Sequence, residues 1–249
     1  MMKIDFHSHI LPKMDDGSSG TKESLAMLKI LADSGVDTVV LTSHFYRREE
    51  GIASFLARRK AAFERLSEAA KESLPACPRL LLGAEVYFYP SLSSDPDFHE
   101  LCMEGTDYIL LELPFERFHD NFYGNYSAFM NRCEQKILLA HIERYLSFGN
   151  TPDDFRRLIG YGNTVCQMNC GSIAEAGMFE RKKLLGLLES GIVSVLGTDA
   201  HNLSARPPLY DKAENVIMKK CGRPVFDRIL RRSDALLANA EAPEILHME

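Results

Sequence analysis

Two histidines one residue apart, His7 and His9, close the short apolar run Lys3-Ile4-Asp5-Phe6-His7-Ser8-His9. In an extended strand, side chains at i and i+2 face the same way, so both imidazoles can approach a single cation. The same spacing returns far along the chain, where the run at 192–198 ends in Asp199 and His201. Between these pairs, His44, Glu85, Glu112 and His141 each stand where an apolar run stops. A lone His-x-His is better explained by two polar loop residues. Of the 8 histidines, however, only His99, His119 and His247 fall away from the ends of such runs. Imidazole mixed with carboxylate, and no thiolate, suits manganese, iron or catalytic zinc rather than structural zinc. So many ligands exceed the needs of one ion, and two or three ions bridged by carboxylates are expected.

Clustered divalent ions split phosphate esters, because they lower the pKa of a bound water and neutralise phosphoryl oxygens. Two arginines fit that chemistry by position. Arg144 follows His141, and Arg206 follows His201 in Asn202-Leu203-Ser204-Ala205-Arg206-Pro207-Pro208. A planar guanidinium forks onto phosphate oxygens, although either arginine could equally form an ordinary surface ion pair. The turn Asp15-Asp16-Gly17 lies just behind the first histidine pair and could add a carboxylate ligand or act as a turn alone. Six cysteines lack the spacing of a zinc knuckle or redox pair. None has an arginine six positions on, so a cysteine-phosphatase loop is absent.

The elements that must hold these residues alternate. Strands are expected at 36–42, 79–84, 108–111, 136–140, 164–168 and 192–198, after the first one at 3–9. Helices are expected from Thr21 to Gly35, at 52–73, near 99–103, and at 124–135, 152–161 and 178–190. Alternation implies a parallel sheet, and seven units without a polar outer edge imply closure into a barrel. Loops at the C-terminal ends of barrel strands share one face, so the scattered ligand candidates would meet on one rim. The Arg58-Arg59-Lys60 cluster reads as a solvated helix face, and Tyr87-Phe88-Tyr89 as the wall of a pocket.

A chain of 249 residues with 45% hydrophobic and 26% charged residues can form one soluble domain over 1–249. Its formal charge of -6 argues against a broad nucleic-acid footprint. No apolar run has the length of a membrane helix, and Lys3 and Asp5 interrupt any signal-peptide core, so a cytoplasmic location without membrane insertion is expected.

With these residues assembled, the sequence resembles the polymerase-and-histidinol-phosphatase (PHP) superfamily. Within it, the chain is similar to the bacterial manganese-dependent protein-tyrosine phosphatases encoded with capsule and exopolysaccharide genes. The resemblance runs from Asp5-Phe6-His7-Ser8-His9-Ile10-Leu11-Pro12 and Asp15-Asp16-Gly17 through Thr42-Ser43-His44, Gly83-Ala84-Glu85 and His141-Ile142-Glu143-Arg144-Tyr145. It ends at Asp199-Ala200-His201-Asn202 and Arg206-Pro207-Pro208. It implies a seven-stranded, distorted TIM-like α/β barrel of the PHP type. It also implies three divalent ions, manganese first with iron or zinc as alternatives, held by His7, His9, Asp16, His44, Glu85, Glu112, His141, Asp199 and His201. Arg144 and Arg206 would grip the phosphate, so that these two with Asp199 and His201 form the catalytic set. The implied substrate is a phosphotyrosine-bearing tail of a membrane-associated tyrosine kinase. Rival expectations are a small-molecule phosphoesterase such as histidinol phosphatase, a metal-dependent nuclease or amidohydrolase, and a kinase partner that binds a phosphorylated tail without turnover.

Overall fold

The computed structural model describes residues 1–248. Among the described residues nine strand segments form: β1 (Ile4–Ser8), β2 (Thr38–Leu41), β3 (His44–Phe45), β4 (Arg79–Leu82), β5 (Glu85–Tyr87), β6 (Tyr108–Glu112), β7 (Lys136–Leu139), β8 (Thr164–Asn169) and β9 (Val195–Gly197). Every pairing between them is parallel, in the orders β1-β2-β4 and β3-β5-β6-β7-β8-β9. The far edges also meet: Asp199 N donates to His7 O at 2.6 Å and His9 N to Ala200 O at 2.9 Å. The result is an α/β fold around a curled parallel sheet.

Seven uninterrupted strands are expected from the apolar runs, and two of those runs are broken. The second stops at Leu41 and resumes at His44, and the third stops at Leu82 and resumes at Glu85. At the break, Glu85 N is shared between Thr42 O and Ser43 O, both at 3.1 Å, which shifts the ladder before each ligand candidate.

Most strand positions are buried because both faces of the sheet are covered. On β6, Ile109 and Leu111 pack into the larger core with the outer helices. Tyr108 and Leu110 join a second cluster with Leu236, Ala242 and Ile245 of the C-terminal helices. Those helices, Tyr210–Lys220, Arg223–Leu237 and Ala242–Leu246, lie beyond Pro208, where no element is expected above.

Helices Thr21–Asp33, Ile52–Ser73, Pro152–Ile159 and Met178–Glu189 stand close to their expected places. The helix expected at 124–135 runs Asp120–Met130 instead, because His119 Nδ1 accepts from Phe122 N at 3.3 Å and starts it earlier. Arg59 also departs from the reading of a solvated face. It is buried and donates to Gly83 O at 2.9 Å and Glu100 O at 3.2 Å, so it braces the chain just before Glu85. No helix among the described residues is long and apolar enough to cross a membrane.

Candidate metal centre

The first strand is bent where its chemistry begins. Asp5 pairs with Val39 and Ser8 with Leu41, so β1 carries one residue more than β2 across this interval. A bulge of that kind re-aims side chains. Two glycines then make room for the histidines. A Cβ at Gly197 would lie 2.5 Å from His7 Cβ, and one at Gly17 would lie 2.2 Å from His9 O. Neither approach is possible with a side chain, so both positions admit glycine alone.

All nine ligand candidates come together at the C-terminal ends of the strands. Glu85 is the hub. Its Oε2 lies 3.1 Å from His7 Nε2, 3.1 Å from His9 Nε2 and 3.0 Å from His44 Nδ1, and its Oε1 lies 2.9 Å from His141 Nε2. Glu112 Oε1 is 3.4 Å from His141 Nε2. Asp199 Oδ1 is 3.5 Å from His7 Nε2 and 3.4 Å from His9 Nε2. Asp16 Oδ1, on the loop after β1, reaches His44 Nε2 and His201 Nε2, each at 3.4 Å. Three sets have ligand atoms close enough to share an ion: His9, Asp16, His44 and His201; His7, His9 and Glu85; His44, Glu85 and Glu112.

Several of these atoms are buried and lack a hydrogen bond, namely Glu85 Oε2, Asp199 Oδ1, His44 Nδ1 and His201 Nε2. They sit near one another without the directions that hydrogen bonding needs. Each unsatisfied buried polar group costs ~1–3 kcal/mol, so a concentration of them in one place is hard to sustain unless cations bind there. The oxygen and nitrogen donors present fit divalent ions. Backbone strain is present here too: of the five non-glycine residues with positive φ among the described residues, two are His141 and Asp199, with φ of 31° and 53°.

The electrostatics follow from burial set against dense charge. Burial disfavours a charged carboxylate at Glu85, yet His7, His141 and His44 hold its pKa well below the usual range. Burial acts likewise on Asp199, where His7, His9 and Arg144 prevail and depress it. For His9, burial is outweighed by the neighbouring carboxylates of Asp15, Asp199 and Glu85, which raise it well above an ordinary imidazole. His141 is carried to about 9, against burial, by Glu112 and Glu85. His201 goes the other way, to about 4, through burial and the neighbouring positive His9.

Behind the cluster lies a set of orienting groups. Asp15 Oδ2 pairs with His9 Nδ1 at 2.8 Å and accepts from His44 N at 2.9 Å. Gln167 Oε1 meets His7 Nδ1 at 3.3 Å and accepts from His141 N at 2.7 Å, while Gln167 Nε2 donates to Asn169 Oδ1 at 2.8 Å. Asn169 Nδ2 in turn donates to Asp199 Oδ2 at 2.8 Å. Such partners fix the tautomer and direction of an imidazole. Asp15 stands in the turn motif noted above without a role of its own. The signal for Gln167 is its place two residues before the strand-end Asn169, on the same face of an otherwise apolar strand.

Arg144 and Arg206 both donate to Asp199 Oδ2 and are each about one-third exposed, at 35%. With Thr198, Asn169 and Asp199 they line a polar cleft of about 300 Å³. Beside the rim lies an apolar cleft of about 530 Å³ that includes Tyr46, Tyr87, Phe88 and Tyr89. The Tyr46 ring lies 5.2 Å from that of His44 and 5.9 Å from that of Tyr87. Tyr87-Phe88-Tyr89 is thus part of a pocket wall. The cysteines stand apart: all six are free thiols, and burial pushes Cys166 and Cys170 far above the range of a nucleophilic thiolate.

The family of capsular polysaccharide synthesis proteins, CpsB/CapC, matches residues 3–238. The chain is 29% identical to the tyrosine-protein phosphatase YwqE of Bacillus subtilis, over 95% of this chain and 92% of that protein. It is 32% identical to the tyrosine-protein phosphatase CpsB of Streptococcus pneumoniae, over 88% and 91%. Among solved structures, it superposes with a TM-score of 0.81 and 25% identity on one from the work on YwqE and CpsB, metal-dependent tyrosine phosphatases, covering 96% of this chain and 97% of that one. The chain belongs to the CpsB/CapC family.

Proposed function

We propose that this chain is a metal-dependent protein-tyrosine phosphatase acting in capsule or exopolysaccharide synthesis. The observation that carries the proposal is the Glu85 carboxylate set among four imidazoles, in a chain whose family includes metal-dependent tyrosine phosphatases. Three divalent ions, manganese first, are held by His7, His9, Asp16, His44, Glu85, Glu112, His141, Asp199 and His201. Bound there, such ions acidify water and offset phosphoryl charge. Arg144 and Arg206 supply the matching fork for the phosphate oxygens, and Asp199 keeps both guanidinium groups aimed at the same place. Residues 1–249 act as one domain. With each broken run counted as one strand, the sheet closes as a seven-stranded barrel of the PHP type.

The proposed substrate is the tyrosine-bearing tail of a membrane-associated kinase, met in the cytoplasm. A tyrosine phenol, with a pKa of ~10, leaves far more readily than an alkyl alcohol, so a site without an evident strong general acid favours aryl esters. The cleft of Tyr46, Tyr87 and Tyr89 gives a polypeptide an apolar wall beside the rim.

The test is a side-by-side comparison with manganese present. A phosphotyrosyl peptide is expected to be cleaved much faster than the matching phosphoseryl peptide or histidinol phosphate. Arg206→Ala should weaken inorganic phosphate inhibition about tenfold or more while leaving metal content unchanged. A wide margin in favour of histidinol phosphate would overturn the tyrosine assignment.

A further inference from the structure

A third cleft opens on the other side of Arg144. It has a volume of about 740 Å³ and is lined in part by Phe115, Arg144, Phe148, Phe179, Lys183 and Leu184. Three of its phenylalanines are exposed, Phe115 at 41%, Phe148 at 42% and Phe179 at 82%. Met178, next to Phe179 in the chain, is 77% exposed. Isolated exposed apolar residues are ordinary, but several gathered around one cleft mark a binding surface.

The cleft is continuous with the metal centre. The Phe115 ring stacks on that of His141, with centroids 5.6 Å apart and planes at 25°. It also stacks on Phe148, with centroids 5.9 Å apart. Arg144 lines this cleft and also the polar one that holds Asp199 and Arg206. Pro114 lines the tyrosine-walled cleft and Phe115 this one, so consecutive residues divide the two. A polypeptide whose phosphate sits between Arg144 and Arg206 has this cleft directly beside it, because Arg144 lines both.

We propose that the Phe115, Phe148 and Phe179 cleft is a specificity subsite for an apolar side chain next to the phosphotyrosine of a polypeptide substrate. The inference rests on the phosphatase reading above and deepens it. A second copy of the chain is the other natural occupant of an apolar surface. A stable dimer, however, buries roughly 800 Å² on each partner, more than three partly exposed phenylalanines provide. Contact with Arg144 also ties the cleft to substrate rather than to assembly. Recognition here adds affinity without touching the reacting atoms, so it should act on long substrates and be invisible to short ones.

The experiment compares three substrates with manganese-loaded protein: a phosphotyrosyl peptide with leucine on both sides of the phosphotyrosine, the same peptide with serine there, and p-nitrophenyl phosphate. The parent should favour the leucine peptide by roughly tenfold in kcat/KM, the scale of burying one apolar side chain. Phe148→Ser combined with Phe179→Ser should abolish that preference and leave p-nitrophenyl phosphate turnover unchanged. If the double variant loses turnover of the small ester, Phe179→Ser alone, at the most exposed position, should still reduce the preference. A preference that persists in the variants, or is missing in the parent, overturns the subsite. So does a dimer in sedimentation that the variants dissociate while the preference stays intact, which would make the surface an assembly face. Failure of the parent on all three substrates would instead bring down the phosphatase reading and this inference with it.

Discussion

Two buried polar regions lie back to back in this molecule and obey opposite rules. At the rim, Glu85 Oε2, Asp199 Oδ1 and His201 Nε2 are buried and make no hydrogen bond. One layer behind, the orienting groups are engaged: Asp5 accepts from Thr198 N at 2.8 Å and from Thr198 Oγ1 at 2.6 Å, and both ends of Gln167 are satisfied. Burial is similar in the two regions, so solvent access cannot explain the contrast. Asp5 and Gln167 are satisfied without any ligand and hold the rim in place. Under the proposed function the rim is a set of donors arranged for cations, whose binding would offset its cost.

The largest expected effect breaks the rim itself. Asp199→Ala removes an oxygen facing His7 and His9 and also strands Arg144 and Arg206. Turnover of a phosphotyrosyl peptide should fall by about a thousandfold or more, equivalent to ~4 kcal/mol of barrier. His201→Ala should behave similarly. Variants that retain near-parent turnover with full metal content would show that these residues are not part of the machinery.

A smaller effect is expected from the layer behind. Asp15→Asn keeps the size of the side chain but weakens the pairing with His9 Nδ1, and Gln167→Ala frees His7 Nδ1. Either should lower metal affinity or turnover by roughly 10–100-fold, the usual scale for groups that orient ligands. Titration of stripped protein with manganese, followed by calorimetry, measures this directly. An unchanged affinity in both variants would erase the proposed division of labour.

Thermal stability offers a third comparison. If cations complete the rim, each manganese ion at 100 times its dissociation constant should stabilise the fold by about 2.7 kcal/mol. For a chain of this size, each such ion corresponds to a rise in Tm of roughly 5–10 °C. A Tm unchanged by manganese would contradict a ligand-completed rim. The smallest effect belongs to Cys166→Ser and Cys170→Ser. Both thiols pack in the core, so turnover should stay within about twofold of the parent. A folded but inactive thiol variant would mean that the chemistry has been misplaced.

What could be read from the sequence differed between these layers for a physical reason. The rim residues terminate apolar runs, and a strand end is a local feature, so His44, Glu85, Glu112 and His141 stand out without knowledge of contacts. The orienting layer is made by pairs remote in sequence. Gln167 meets His7 across 160 residues, and no local pattern announces such a bond. Asp15 and Asp16 show the limit within three residues of chain. Turn chemistry makes them alike, and only the folded loop directs Asp15 onto His9 and Asp16 toward His44 and His201. Arg59 was equally opaque, since its burial depends on the carbonyls of Gly83 and Glu100 in other elements. The strand breaks before His44 and Glu85 arise from a shared backbone hydrogen bond, which leaves no mark on hydrophobic periodicity.

The central claim is that the rim acts through cations, and removal and return of the metal tests it most directly. Protein stripped by a chelator and checked by elemental analysis should lose turnover of a phosphotyrosyl peptide. Added back one at a time, divalent ions should restore it, manganese best, even where copper or zinc binds more tightly. Full activity in chelator, with no metal detected, would contradict the account.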